Sequence, residues 1–154
     1  MEIEDILKEN CVVTSLKATS KKQALQELAN RASRLTGLEE REIFDVLLER
    51  ERLGTTGVGS GIAIPHGKLP QLETLFGCFA RLDEPVDFDS VDNQPVDLIF
   101  LLLAPESAGA DHLKALARIS RVLRNNASCD KLRSAASANA IYDLLTADAQ
   151  SRAA

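Results

Sequence analysis

An unbroken apolar run from Leu98 to Ala104 lies between Asp97 and Pro105. It is far short of the about 20 residues that a membrane-crossing helix needs. A short run of this kind reads as a strand buried on both faces. The sequence on either side supplies helices to cover it. Ala24, Leu25, Leu28, Ala29, Ala32 and Leu35 recur at helical spacing over 21–35, with Ser20 placed as N-cap and Gly37 just past the end. A second helix is predicted over 39–52, where Ile43, Val46 and Leu47 form the apolar stripe and Arg50 continues the row from 43 and 47. A third is predicted over 111–124 and a last over 138–147, with a frayed end at 150–154. Further strands are predicted over 11–16, 62–64 and 75–82. Strands interleaved with helices give an α/β layered fold, and one domain spanning 1–154, ordered from about residue 3 to 148, is the economical reading. The mixture leaves the strand order open.

Charge and cysteine use narrow the function. With Lys+Arg 18 against Asp+Glu 23 the net charge is −5, which argues against a nucleic-acid module built on a basic surface. The acidic start, Met1-Glu2-Ile3-Glu4-Asp5, lacks the basic and apolar regions of a signal peptide. Cys11, Cys78 and Cys129 are far apart and odd in number, so reduced thiols in a cytoplasmic protein are expected. With His66 and His112 the only histidines, neither near a cysteine in sequence, a structural zinc site has no support.

Glycine at 54, 57, 59 and 61 marks irregular backbone just before the strand Ile62-Ala63-Ile64 and the tripeptide Pro65-His66-Gly67. Familiar nucleotide and hydrolase signatures fail here. A Walker A loop needs glycine where Ile62 stands, the dinucleotide fingerprint needs it at Ile64, and a nucleophile elbow around Ser60 needs it at Val58 and Ile62.

What remains is a histidine flanked by a rigid proline and a glycine that blocks nothing. A neutral imidazole is a competent nucleophile near pH 7, and glycine-loop amides can cradle a phosphate. The plain alternative is a surface-turn histidine without a role. His112, at the start of a helix, is either a satisfied helix-edge residue or a neutral donor or acceptor facing His66. Arg50 either snorkels or aims its planar fork at phosphoryl oxygens. Lys68 reads most simply as a solvated charge. Thr55, Thr56 and Ser60 serve turns or donate hydroxyl hydrogen bonds, and Thr56, Gly59, Ser60 and Gly61 are the candidate phosphate cradle.

The segment from Gly54 to Gly67, Gly-Thr-Thr-Gly-Val-Gly-Ser-Gly-Ile-Ala-Ile-Pro-His-Gly, resembles the fructose/mannitol type of enzyme IIA domain of the bacterial phosphotransferase system, and most of all its nitrogen-regulatory type. Leu48-Glu49-Arg50-Glu51-Arg52 and Asp111-His112-Leu113-Lys114-Ala115-Leu116 extend the resemblance over nearly the whole chain. The resemblance implies a mixed sheet, of about five strands, flanked by helices. It implies that His66 is the histidine phosphorylated, on the ring nitrogen remote from the backbone, with His112 as second active-site histidine and Arg50 lining the site. It also implies no metal, nucleotide or other cofactor. The donor it implies is an HPr-like phosphocarrier (NPr) charged by enzyme I. The output it implies is regulation of targets such as potassium-transport or sensor-kinase components. A sugar-specific IIA that passes the group to a IIB partner, and a binding module that does no transfer, are the competing readings.

Overall fold

The computed structural model describes residues 1–147 in full and the backbone of 148–153; the expected frayed end, 150–154, falls outside the fully described residues. In chain order the main elements are β1 (Leu7–Leu16), α1 (Lys21–Thr36), α2 (Glu40–Leu53), β2 (Gly57–Gly59), β3 (Ile62–Ala63), β4 (His66–Leu69), β5 (Phe76–Val86), β6 (Val96–Pro105), α3 (Ala110–Leu123), α4 (Asn126–Ser134) and α5 (Ala138–Ala153). A short 3₁₀ turn, Glu106–Ala108, joins β6 to α3.

The sheet has six strands in the order β1-β5-β6-β3-β2, with β4 also pairing to β6. It is mixed. β1 runs parallel to β5, β5 antiparallel to β6, and both β3 and β4 parallel to β6. β3 and β4 are successive pieces of one interrupted strand on the same edge of β6, facing Leu98–Ile99 and then Leu102–Pro105. The interruption falls at Ile64–Pro65, where proline has no N–H for the ladder and its carbonyl instead accepts from Leu102 N at 3.0 Å.

β6 is the strand the apolar run foretold. Its side chains alternate between two cores: Ile99, Leu101 and Leu103 pack with α1 and α2, while Leu98, Phe100 and Leu102 pack with α3, α4 and α5. The result is a sheet sandwiched between two helical layers. Each fully buried Leu, Ile or Phe contributes about 1.5–3 kcal/mol of hydrophobic stabilisation. Helix α1 begins as expected, with Ser20 Oγ accepting from Gln23 N at 3.1 Å, and Gly37 closes it.

Two sequence expectations need correction. Helix α4 was not expected at all. Its N-cap Asn125 accepts from Ser128 N at 3.1 Å, and Arg81 of β5 binds the carbonyls of Leu132, Arg133 and Ala135 at its far end. The three cysteines are not all thiols: Cys11 and Cys78 form a disulfide between β1 and β5, their Cα atoms 4.9 Å apart, and Cys129 is free and buried. Positions separated by 67 residues in sequence become neighbours only through the parallel register, which sets Val12 opposite Phe79.

No helix among the described residues is long and apolar enough to cross a membrane. The cysteine pairing gives a direct check. Protein denatured without reductant is expected to show one titratable thiol per chain, from Cys129, rising to three after reduction. Three thiols before reduction contradict the β1–β5 bridge.

Candidate active site

His66 opens β4, where it is half-buried rather than set on a surface turn. Its Nδ1 lies 2.9 Å from the carbonyl oxygen of Ile64, and its Nε2 lies 3.2 Å from Nε of Arg50. A carbonyl can only accept, so Nδ1 carries the proton. An arginine Nε can only donate, so Nε2 carries the lone pair. Two independent contacts thus fix one tautomer and aim the unprotonated nitrogen away from the backbone.

Arg50 stands in the last turn of α2, and its Nη1 donates to the Gly54 carbonyl at 2.8 Å. What brings α2 so close to β4 is Gly67. A Cβ at that position would lie 2.2 Å from Cγ1 of Val46, one helical turn before Arg50. The space beside Gly67 is therefore taken by the chain's own helix, not left for an approaching partner as the sequence had suggested. Val46 is β-branched and stiff in a helix, so it cannot swing aside cheaply.

His112 reaches the site from the opposite helical layer, in the first turn of α3. The two imidazoles meet edge-on with ring centroids 5.6 Å apart. His112 is 9% exposed, and its Nε2 is buried with no hydrogen-bond partner among the described residues. A buried polar nitrogen left unpaired costs about 1–3 kcal/mol. Around the rings lies a shallow recess of about 650 Å³, lined by Val46, Glu49, Arg50, Leu53, Lys68 and Glu106 as well as both histidines. Leu53 is 85% exposed on its rim.

Burial keeps the His66 imidazole below its ordinary value of 6.5, with the Arg50 charge adding to that effect, against the opposing pull of the Ile64 hydrogen bond and of Glu51. His112 is lowered too, first by burial and then by His66 and Lys68. Both rings are therefore neutral at pH 7.

The glycine segment behaves differently from the expected cradle. Thr56 is buried, and both its N–H and its hydroxyl are bound to the Glu51 carboxylate. Gly59, Ser60 and Gly61 form the tight β2–β3 turn, all with positive φ (104°, 57° and 80°). Asp92 accepts from Ser60 N at 2.9 Å, and Arg133 donates to Ser60 O at 2.8 Å. The register that sets Ile62 against Leu98 and His66 against Leu102 separates that turn from His66 by at least about 13 Å of extended chain. The turn lines another recess, with Ser120, Leu123 and Arg124. So the fold gathers His66, His112 and Arg50, and leaves Gly59, Ser60 and Gly61 elsewhere. Sequence reasoning missed Glu49, Glu106 and Glu51. Only the four-residue step from Val46 to Arg50 beside Gly67 carried a signal for how α2 docks.

Residues 5–148 match the family described as "Phosphoenolpyruvate-dependent sugar phosphotransferase system, EIIA 2". A "Nitrogen regulatory protein" of Bradyrhizobium diazoefficiens is 63% identical over 145 residues, covering 94% of this chain and 95% of that protein. The crystal structure of nitrogen regulatory protein IIA-Ntr from Neisseria meningitidis superposes with a TM-score of 0.89 at 36% identity, over 94% of this chain and 99% of that one. A "PTS system fructose-specific EIIA component" of Haloferax volcanii is 43% identical over 102 residues, 66% of each chain.

Two outcomes test the geometry. Gly67→Ala is expected to destabilise the fold by about 1–3 kcal/mol in a denaturant melt, and adding Val46→Ala should recover much of the loss; no recovery contradicts the close approach. NMR titration is expected to place both histidine midpoints below 6.5. Because the folded state resists protonation, the two rings contribute stability that is full above 6.5 and lost as pH falls through their native midpoints. A midpoint at or above 6.5 for either ring contradicts its burial.

Proposed function

The chain belongs to the EIIA 2 family of the phosphoenolpyruvate-dependent sugar phosphotransferase system, and on that premise we propose that it is a nitrogen-regulatory phosphoryl relay whose acceptor is Nε2 of His66. One observation carries the reading. The Ile64 carbonyl holds the Nδ1 proton, so a bare Nε2 faces a recess beside a guanidinium and a second neutral imidazole.

The transfer balances without acid, base or metal. The Nε2 lone pair attacks phosphorus on a donor phosphohistidine, the donor N–P bond breaks, and its electron pair returns to the donor ring. No proton need leave His66. As the ring gains positive character, its Nδ1–H bond to Ile64 strengthens and stabilises the product. Arg50 turns its donors from Nε2 to the phosphoryl oxygens. His112 stands beside the acceptor as a second neutral imidazole, its ring centroid 5.6 Å from that of His66. Such a reaction depends on positioning and charge stabilisation, and both are preorganised here.

The donor is an HPr-like phosphocarrier, NPr, charged by enzyme I. A shallow recess with an exposed Leu53 on its rim suits a protein donor that brings its own histidine. The state of His66 is then read by cytoplasmic targets, of which potassium-transport or sensor-kinase components are the expected kind. The whole chain acts as one EIIA unit. The nitrogen-regulatory reading is favoured by the 63% identical relative of that name. The fructose-specific relative supports a second reading, in which the group passes on to a IIB protein.

Incubation with phosphoenolpyruvate, enzyme I and the phosphocarrier is expected to add one acid-labile phosphoryl group to wild type and none to His66→Ala. Arg50→Ala should slow acceptance by about 10²-fold, the usual cost of losing a charge-stabilising donor, and His112→Ala by about tenfold or more, at little change in melting temperature. No label on wild type contradicts the relay. Rapid discharge to a IIB protein favours the sugar reading.

A further inference from the structure

Glu51 is a buried carboxylate for which the transfer chemistry has no direct use. Its residue is 7% exposed, and it follows Arg50 in the last turn of α2. Its two oxygens accept from Thr56 N at 3.1 and 3.2 Å, and Oε1 also accepts from the Thr56 hydroxyl. Lys21, at the start of α1, closes an ion pair with it at 2.7 Å. Lys21 in turn donates to the Phe88 carbonyl at 3.3 Å, and its ammonium stands 5.2 Å above the Phe88 ring. One carboxylate thus ties together the end of α2, the loop after it, the start of α1 and the segment after β5.

The loop it clamps is the one that orients Arg50. The Arg50 guanidinium is held at two points at once, Nη1 donating to the Gly54 carbonyl at 2.8 Å while Nε donates to His66 Nε2 at 3.2 Å. Residues 54–56 are therefore held from both ends, by Arg50 at Gly54 and by Glu51 at Thr56. A buried ion pair is a poor way to gain stability, because desolvation offsets most of the attraction and an apolar substitute often does as well. What it supplies instead is a defined geometry, since the carboxylate is satisfied only when Thr56 and Lys21 are both in place.

We propose that Glu51 is a positioning residue of the His66 site, acting through the 54–56 loop to hold Arg50 against the acceptor nitrogen. The inference rests on the phosphoryl reading of His66, and it predicts coupling rather than a separate contribution. Glu51→Ala is expected to slow phosphoryl acceptance by about 10- to 100-fold, the scale of a small misplacement of a site group. In an Arg50→Ala background the same substitution should change the rate less than about twofold, because the residue it acts through is already gone. Fully multiplicative effects overturn the proposal.

A second readout does not depend on transfer. The Arg50 Nε–H signal, protected by its bond to His66, is expected in the ¹H–¹⁵N spectrum of wild type and lost in Glu51→Ala. Its persistence overturns the proposal. If wild type accepts no phosphoryl group, the relay reading fails while this signal still decides whether Glu51 holds Arg50. If Glu51→Ala does not fold, as a thermal melt will show, Thr56→Val removes one donor to the carboxylate. It should then weaken the same signal and slow acceptance in wild type but not in Arg50→Ala; equal slowing in both backgrounds overturns the proposal.

Discussion

A carbonyl oxygen has no proton to give, so the 2.9 Å contact between Ile64 O and His66 Nδ1 decides where the imidazole keeps its hydrogen. The remaining properties of the site follow from that placement. The lone pair is confined to Nε2, the nitrogen facing the recess, and Arg50 meets it as a donor at 3.2 Å. Partial burial then keeps the ring from protonating and losing the lone pair near neutral pH.

Holding that ring in place takes the whole sandwich. Strand β6 is covered on both faces, and its edge carries β3 and β4 in succession with a break at Pro65. The break lets the Ile64 carbonyl turn to the side chain two residues ahead instead of serving only the ladder. Helix α2 lies in one layer and α3 in the other, so Arg50 and His112 approach His66 from opposite sides of the sheet. Contact on the α2 side is as close as it is because residue 67 has no side chain. The orientation of the His66 ring and the charge beside it are thus set by packing between layers.

Much of this could be read from the sequence. Apolar periodicity located α1, α2 and α3, and the unbroken run located β6, because each buries a regular face in a deep core. Helix α4 escaped notice because Asn-Ala-Ser-Cys-Asp-Lys-Leu-Arg-Ser has few apolar positions and low helix propensity; its cap and Arg81 of a distant strand sustain it. The first half of β1, with exposed Lys8, Glu9 and Asn10, gave no strand pattern for the same reason. His66 and its neighbours stood out by composition. The glycine segment was misread at its tip: positive-φ glycines look alike in a sequence whether they shape a phosphate cradle or a tight turn, and only the pairing with β6 tells which. The disulfide was invisible for a similar reason, since it depends on a strand register 67 residues removed.

The most direct test of the account is the tautomer of His66 in the unphosphorylated protein, read from long-range ¹H–¹⁵N couplings at a pH above its midpoint. A single neutral form with the hydrogen on Nδ1 and a bare Nε2 is the result expected. A ring carrying its hydrogen on Nε2, or exchanging freely between the two forms, would contradict the account.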